Sequence, residues 1–253
     1  MMVTLFTASS PAVLGWAVLT VKKQTQPLSA RNGMRQQESS GVRLQAKLTG
    51  QRGMFPGGFS PDGRTLATGS NTGPAMLWDT ATGQLRTTLT ETSSSGPITF
   101  SPDGRMLATS GVKKVKLLNL KTGELKATLL ASKGLFSLLY TLTFSPDGRA
   151  LLTVSSDLKA LLWDVATGQL KATLGRQKGL VVTAVFSPDG QMVATAGSED
   201  KTAKMWDAAT SQLQASLTGH RAGIYDVIFS PDGRMLATAG QGNTTLLWNV
   251  PVG

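Results

Sequence analysis

Residues 181–217 read VVTAVFSPDGQMVATAGSEDKTAKMWDAATSQLQASL. VVTAVF is a β-branched run that stops at Ser187-Pro188-Asp189-Gly190. MVATAG is a second run, broken by Ser198-Glu199-Asp200-Lys201-Thr202. AKMWD is a third, and after Ala208-Ala209-Thr210-Ser211 the run QLQASL alternates as a fourth. Short apolar runs divided by turn residues predict four strands of one antiparallel sheet. In the first turn Pro pre-sets φ, Asp suits the next position, and Gly closes the turn without a Cβ clash.

The same text recurs along the chain. Phe-Ser-Pro-Asp-Gly begins at Phe59, Phe100, Phe144, Phe186 and Phe229, at intervals of 41, 44, 42 and 43 residues. A second mark keeps phase with it: Trp78-Asp79, Leu118-Asn119, Trp163-Asp164, Trp206-Asp207 and Trp248-Asn249. Two signals in fixed phase mean a repeat architecture. One four-stranded sheet cannot bury both its faces, but copies packed face to face around an axis can. The second run is small in copies one, two and five (LATGS from Leu66, LATSG from Leu107, LATAG from Leu236), which lets sheets approach closely. No window carries a sustained helical period.

These paired motifs resemble those of the WD-repeat β-propeller family, its bacterial-type repeats especially. The resemblance covers residues 42–253. It implies a ring of four-stranded blades and a mostly non-catalytic platform for proteins or peptides. It also implies structural roles for Trp78, Trp163, Trp206, Trp248, His220, Asp157 and Asp200. In the family a His, a strand-two Ser or Thr, a turn Asp and the Trp share hydrogen bonds. Here Gly219-His220 keeps the Gly-His pair, whereas Gly50-Gln51 and Gly175-Arg176 stand at its equivalents. Thr72 and Gly242 replace the turn Asp in copies one and five, and Leu118 replaces the Trp of copy two. No copy therefore has the full set, and apolar packing is expected to dominate.

The fold expected is all-β: a five-bladed β-propeller of four-stranded antiparallel blades. Copy five ends at Gly253 after its third run, while RLQAKLTGQR (43–52) matches QLQASLTGHR (212–221) almost residue for residue. Strand 43–48 is therefore expected to complete the last blade and close the ring, leaving no bare sheet edge. Five blades are fewer than the family's usual seven. An open arc completed by self-association, or a fragment of a longer propeller, is the other reading. The inner strand Met54-Phe55-Pro56-Gly57-Gly58 is poor, because Pro lacks a donor and paired Gly weakens a strand.

Residues 1–41 stand outside the repeat. Val3–Val21 is free of charge and precedes Lys22-Lys23, a pattern that fits a membrane segment, though its Ser, Thr and Pro keep its hydrophobicity modest. Residues 22–41 read as linker, and the whole leader as disordered. A cytoplasmic location is expected, with anchoring through 3–21 the alternative. The formal net charge is +10, of which residues 1–52 carry +6. Zero Cys excludes disulfides and thiol chemistry, and one His leaves no zinc site in the sequence. No cofactor is expected.

The aspartates Asp62, Asp103, Asp147, Asp189 and Asp232 hold one turn position in every copy, which marks them as structural rather than catalytic. Arg64, Arg105, Arg149 and Arg234 follow two residues later, suggesting exposed ion pairs of little worth. His220, as the family-type Gly-His, reads as a buried hydrogen-bonded residue. The loops between second and third runs and those between copies share one rim, which the resemblance makes the peptide-binding face. Its bases are Arg52, Lys113, Lys114, Lys133, Lys159, Arg176, Lys178, Lys201 and Arg221, against Glu91, Asp157, Glu199 and Asp200. Such a rim suits an acidic protein or peptide. Nucleic acid or another polyanion is the second reading, weakened by the lack of interleaved aromatics. A carbohydrate-active propeller enzyme is the third, for which no converging carboxylates are seen. The segment LASKGLFSLLYTLTF (130–144) is longer than its counterparts, so Phe136 and Tyr140 are candidates for an apolar anchor beside the rim.

Overall fold

Nineteen β-strands and no helix occupy the described residues. In this computed structural model these are 44–253 apart from 51–52, 71–72, 91, 93–95, 133–138, 156–158, 177–180 and 251–253. The proposed leader and its stretch 3–21 lie outside them. Blade 1 is β1 (Met54–Phe59), β2 (Thr65–Ser70), β3 (Ala75–Asp79) and β4 (Leu85–Leu89). Blade 2 is β5 (Ile98–Phe100), β6 (Met106–Ser110), β7 (Lys114–Asn119) and β8 (Leu125–Leu130). Blade 3 is β9 (Leu139–Phe144), β10 (Ala150–Ser155), β11 (Lys159–Asp164) and β12 (Leu170–Arg176). Blade 4 is β13 (Val181–Phe186), β14 (Met192–Gly197), β15 (Thr202–Asp207) and β16 (Leu213–Thr218). Blade 5 is β17 (Ile224–Phe229), β18 (Met235–Gly240) and β19 (Thr244–Asn249). Every sheet is an antiparallel meander in chain order.

The Ser-Pro-Asp-Gly turn sets where the second strand of each blade starts. The Ser hydroxyl donates to the Asp carboxylate at 2.5–2.6 Å in all five copies. The same hydroxyl oxygen accepts the backbone N–H of the residue that opens the next strand, at 2.9 Å each time. The carboxylate also takes the N–H of the residue after the Gly, at 3.0–3.1 Å. The Gly itself sits at φ of 70–74°, a left-handed region closed to most side chains. So Arg64, Arg105, Arg149 and Arg234 meet the aspartates through their backbone amides. The ion pairs among the described residues lie elsewhere, at Arg86–Asp79 and Lys204–Asp200.

Blade faces alternate in two rows, and each row has one destination. Leu77 packs with Ile98, Phe100 and Leu118 of the next blade, and Leu117 with Phe144 and Trp163. Leu162 packs with Trp206, and Met205 with Phe229 and Trp248. The residue before each Trp position thus faces forward, and the motif Phe and the Trp face back. Burial of a Leu or Phe of this kind contributes about 1.5–3 kcal/mol each. Blade 1 still forms its inner strand despite Pro56 and the two glycines, with a register shift between Pro56 and Gly58. Gly57 is needed there, since a Cβ on it would stand 2.8 Å from Ile98 Cβ of blade 2.

Ring closure through strand 43–48 is not formed among the described residues. Blade 5 has three strands, and residues 44–50 carry no strand. They lie instead along blade 1, where Gln45 Nε2 donates to the carbonyls of Thr80 and Ala81 at 3.3 and 3.0 Å. Inner strands pack in succession, β1 on β5, β5 on β9, β9 on β13 and β13 on β17, and β1 makes no comparable packing with β17.

The turns between third and fourth strands use Gly83, Gly123 and Gly168 at φ of 69–74°, but Ser211 at 62° in blade 4. A Cβ at Gly168 would also stand 2.8 Å from Ala127 Cβ of blade 2. Gly168→Ala is expected to lower unfolding stability by about 1–3 kcal/mol through strain and overpacking. Ser211→Gly should instead raise it by a few tenths to about 1 kcal/mol, since Gly relieves the left-handed strain at some cost in chain entropy. Urea midpoints of the two variants check both signs.

Candidate functional site

Two rims follow from the meander. Ser-Pro-Asp-Gly and the third-to-fourth-strand turns share one, and the remaining loops share the other. The second rim receives Lys113 and Lys114 at the start of β7, Lys159 at the start of β11, Lys201 just before β15, and Arg221 between β16 and β17. Lys114, Lys201 and Arg221 are exposed, and Lys113 and Lys159 half-buried. Lys113 and Lys201 sit at φ of 65° and 56°, with Asn243 at 54° in the equivalent turn of blade 5. The hairpin therefore demands a left-handed residue here, and the sequence supplies a base where Gly or Asn would be easier. Arg176 ends β12 directly opposite Lys159 in the ladder. Arg52, Lys133, Phe136, Lys178 and Asp157 lie outside the described residues. Tyr140 is not on that loop: it is half-buried in β9, between the buried Leu139 and Leu142 that join the core of blades 2 and 3.

Of the acids on this rim, Asp200 is engaged within its own hairpin. Its carboxylate accepts from Lys204 Nζ at 3.4 Å and from the Thr202 amide at 3.3 Å. Glu199 is exposed beside it.

The polar set inside the blades is shortened rather than lost. Trp78 Nε1 donates to Thr68 at 2.8 Å, Trp163 to Thr153 at 2.9 Å, Trp206 to Thr195 at 3.0 Å and Trp248 to Thr238 at 2.9 Å. In blade 5 the chain of bonds extends to His220, whose Nε2 lies 2.7 Å from Thr238 Oγ1 in a buried site. Gly240 makes room for that imidazole, because a Cβ there would stand 2.8 Å from Nδ1. His220 is thus committed to the blade interior. The expectation that apolar packing dominates understates this Trp–Thr bond, whose signal in the sequence is the Thr at a constant place in the second strand of each Trp-bearing blade.

The five motif aspartates are held below the usual carboxylate range, first by the Ser hydroxyl and then by the backbone amide two residues on. Asp79 is lowered further, chiefly by the Arg86 guanidinium and then by Thr82. Wedge-shaped clefts open beside these turns, one of about 510 Å³ between blades 3 and 4 and one of about 450 Å³ between blades 1 and 2. Their recurrence at one place in the repeat makes them a by-product of blade packing. No group of three or more metal-ligating side chains occurs among the described residues. No helix among them is long and apolar enough to cross a membrane.

Comparison with known proteins agrees with this geometry. The family described as "WD domain, G-beta repeat" matches residues 124–164, 168–207 and 211–249. Each matched stretch holds the outer strand of one blade and the three inner strands of the next: β8 with β9–β11, β12 with β13–β15, and β16 with β17–β19. The protein tipD of Dictyostelium discoideum is 36% identical over 95 residues, which is 37% of this chain and 14% of that protein's length. Residues 124–249 thus carry three WD repeats, and the antiparallel blades before them are built on the same plan.

Two measurements test the site's internal chemistry. Thr153→Val keeps the shape of a fully buried residue but strands the Trp163 N–H, and should cost about 1–3 kcal/mol in a urea titration. For pH, the folded pKa of Asp147 lies below its ordinary 3.8, so its stabilising effect is present above that value and lost as pH falls through the folded pKa. The gap in melting temperature between wild type and Asp147→Asn should therefore be constant near neutrality and narrow below pH 3.8.

Proposed function

We propose that this chain is a non-catalytic binding scaffold that takes an acidic protein or peptide on the rim of Lys113, Lys114, Lys159, Lys201 and Arg221. The observation that carries this reading is the convergence of bases at strand starts on one rim, two of them in left-handed hairpin positions. WD-repeat proteins generally serve as interaction platforms, and the five motif aspartates are occupied by turn hydrogen bonds, which supports a binding role over catalysis. Charge on such a rim acts mainly through steering and register, so its removal should slow association. Arg52, Lys133, Phe136, Arg176, Lys178 and Tyr140 belong to the same proposal as its flanking residues. Tyr140 can serve in it from within β9, which leaves that side chain half open.

The test uses a fluorescent poly-glutamate peptide as probe. Lys113→Glu with Lys114→Glu and Lys201→Glu should weaken binding at least tenfold, while Lys121→Glu with Lys126→Glu, near the opposite rim, should leave it within twofold. Equal loss from both sets would mean diffuse charge and no rim site. Tighter binding of single-stranded DNA, falling steeply between about 50 and 200 mM salt, would favour the polyanion reading instead.

A further inference from the structure

Blades 2, 3 and 4 each have a neighbour on both sides, because the inner strands pack in succession from β1 to β17. Among the described residues of these three blades, the exposed large apolar side chains are Leu125, Leu170, Leu213, Val112 and Leu130. Leu125, Leu170 and Leu213 open β8, β12 and β16, and Leu85 opens β4 with similar exposure, so these belong to the repeat. Val112, 62% exposed, and Leu130, 51% exposed, do not recur. Both lie in blade 2, on the rim that carries Lys113 and Lys114.

Each stands where other blades place a polar residue. Val112 precedes Leu118 by six residues, as Asp157 precedes Trp163 and Asp200 precedes Trp206. In blade 4 that carboxylate accepts from the Thr202 amide and from Lys204 Nζ. The hairpin of blade 2, Ser110 to Val115, has no acid at all, and its tip is apolar. Leu130 stands opposite Lys114 in the ladder, where blade 4 sets Thr218 opposite Thr202. Residues directly opposite share a face of the sheet, so Leu130 and Lys114 present themselves together.

This corner is rigid. The Gly111 amide donates to the Lys114 carbonyl at 2.8 Å, which closes the hairpin. The amides of Ala131 and Ser132 donate to the Lys113 carbonyl at 2.9 and 3.3 Å, and both residues are buried. Val112 and Leu130 are the chain neighbours of Lys113 and Ala131, so those bonds hold the two apolar side chains beside the two lysines.

We propose that this corner of blade 2 selects, among acidic segments, one that carries an aliphatic side chain beside its carboxylates. The proposal rests on the acidic-partner reading above and names the kind of segment that partner offers. The aliphatic group covers Val112 and Leu130, and the flanking carboxylates meet the ammonium groups of Lys113 and Lys114. Exposed charge mainly steers and sets register, whereas apolar burial adds affinity in proportion to the area covered. A polyanion without an apolar group would use the lysines and leave the other half of the corner bare.

The test uses the full chain and two fluorescent poly-glutamate peptides of equal length and charge, one interrupted by two Leu and the other by two Ser. Wild type should bind the Leu peptide about fivefold more tightly, the yield of covering roughly half a Leu side chain. Val112→Thr with Leu130→Thr brings in a residue the chain already uses at the equivalent positions Thr72 and Thr218. That variant should lose the preference, bind the Ser peptide as wild type does, and melt unchanged. Equal affinity of wild type for the two peptides overturns the proposal, and so does a Leu preference that survives the double variant. Lys113→Glu with Lys114→Glu separates the two readings. If it weakens both peptides while wild type shows no Leu preference, the basic rim stands and only the aliphatic selection fails. If it weakens neither, the acidic-partner reading fails and takes this proposal with it.

Discussion

A four-stranded sheet has two apolar faces and no means of covering either. Everything in this molecule answers that constraint. The residue before each Trp points forward, the motif Phe and the Trp point back, and neighbouring sheets interlock through those rows. Ala and Gly in the second strands keep the sheets near enough for the rows to meet. The consequence is a molecule in which each blade is stable only as a neighbour.

The turns serve that packing rather than any chemistry. A Ser hydroxyl, an Asp carboxylate and a left-handed Gly fix the point at which the second strand begins, and so fix which side chains face which neighbour. A one-residue slip would send Leu and Ala to the wrong face. This explains why the carboxylates recur so strictly while the opposite rim varies. Freed from register control, that rim can carry lysines even where its hairpins need left-handed backbone. One rim sets register and the other is free to vary, and it is to the varying rim that the proposed binding is assigned.

Much of this was legible in the residues. The strand count per blade, the turn chemistry and the packing role of the Trp residues follow from phase and spacing, and the structural place of His220 from the family resemblance. The candidate rim was legible as a set of bases, and the meander gathers the described ones at one end of their strands. The Trp–Thr bond was legible only through the family resemblance, because it depends on two residues about ten apart standing on one face of a ladder. The aspartate–arginine pairing looked ionic from a two-residue spacing, yet the backbone amide reaches the carboxylate first. Whether Tyr140 belonged to a long loop or to an extended inner strand stayed open, because a strand's start is set by the partner it pairs with and not by its own composition.

The sequence by itself determined the repeat, because turn residues and apolar alternation are local and need no partner to be recognised. The likeness of 43–52 to 212–221 also marked that segment as a candidate outer strand. Where that strand goes was decided only in three dimensions. Closure requires that the blade-to-blade angles sum to a full turn, and no single interface encodes that sum. In the folded chain the segment lies on blade 1.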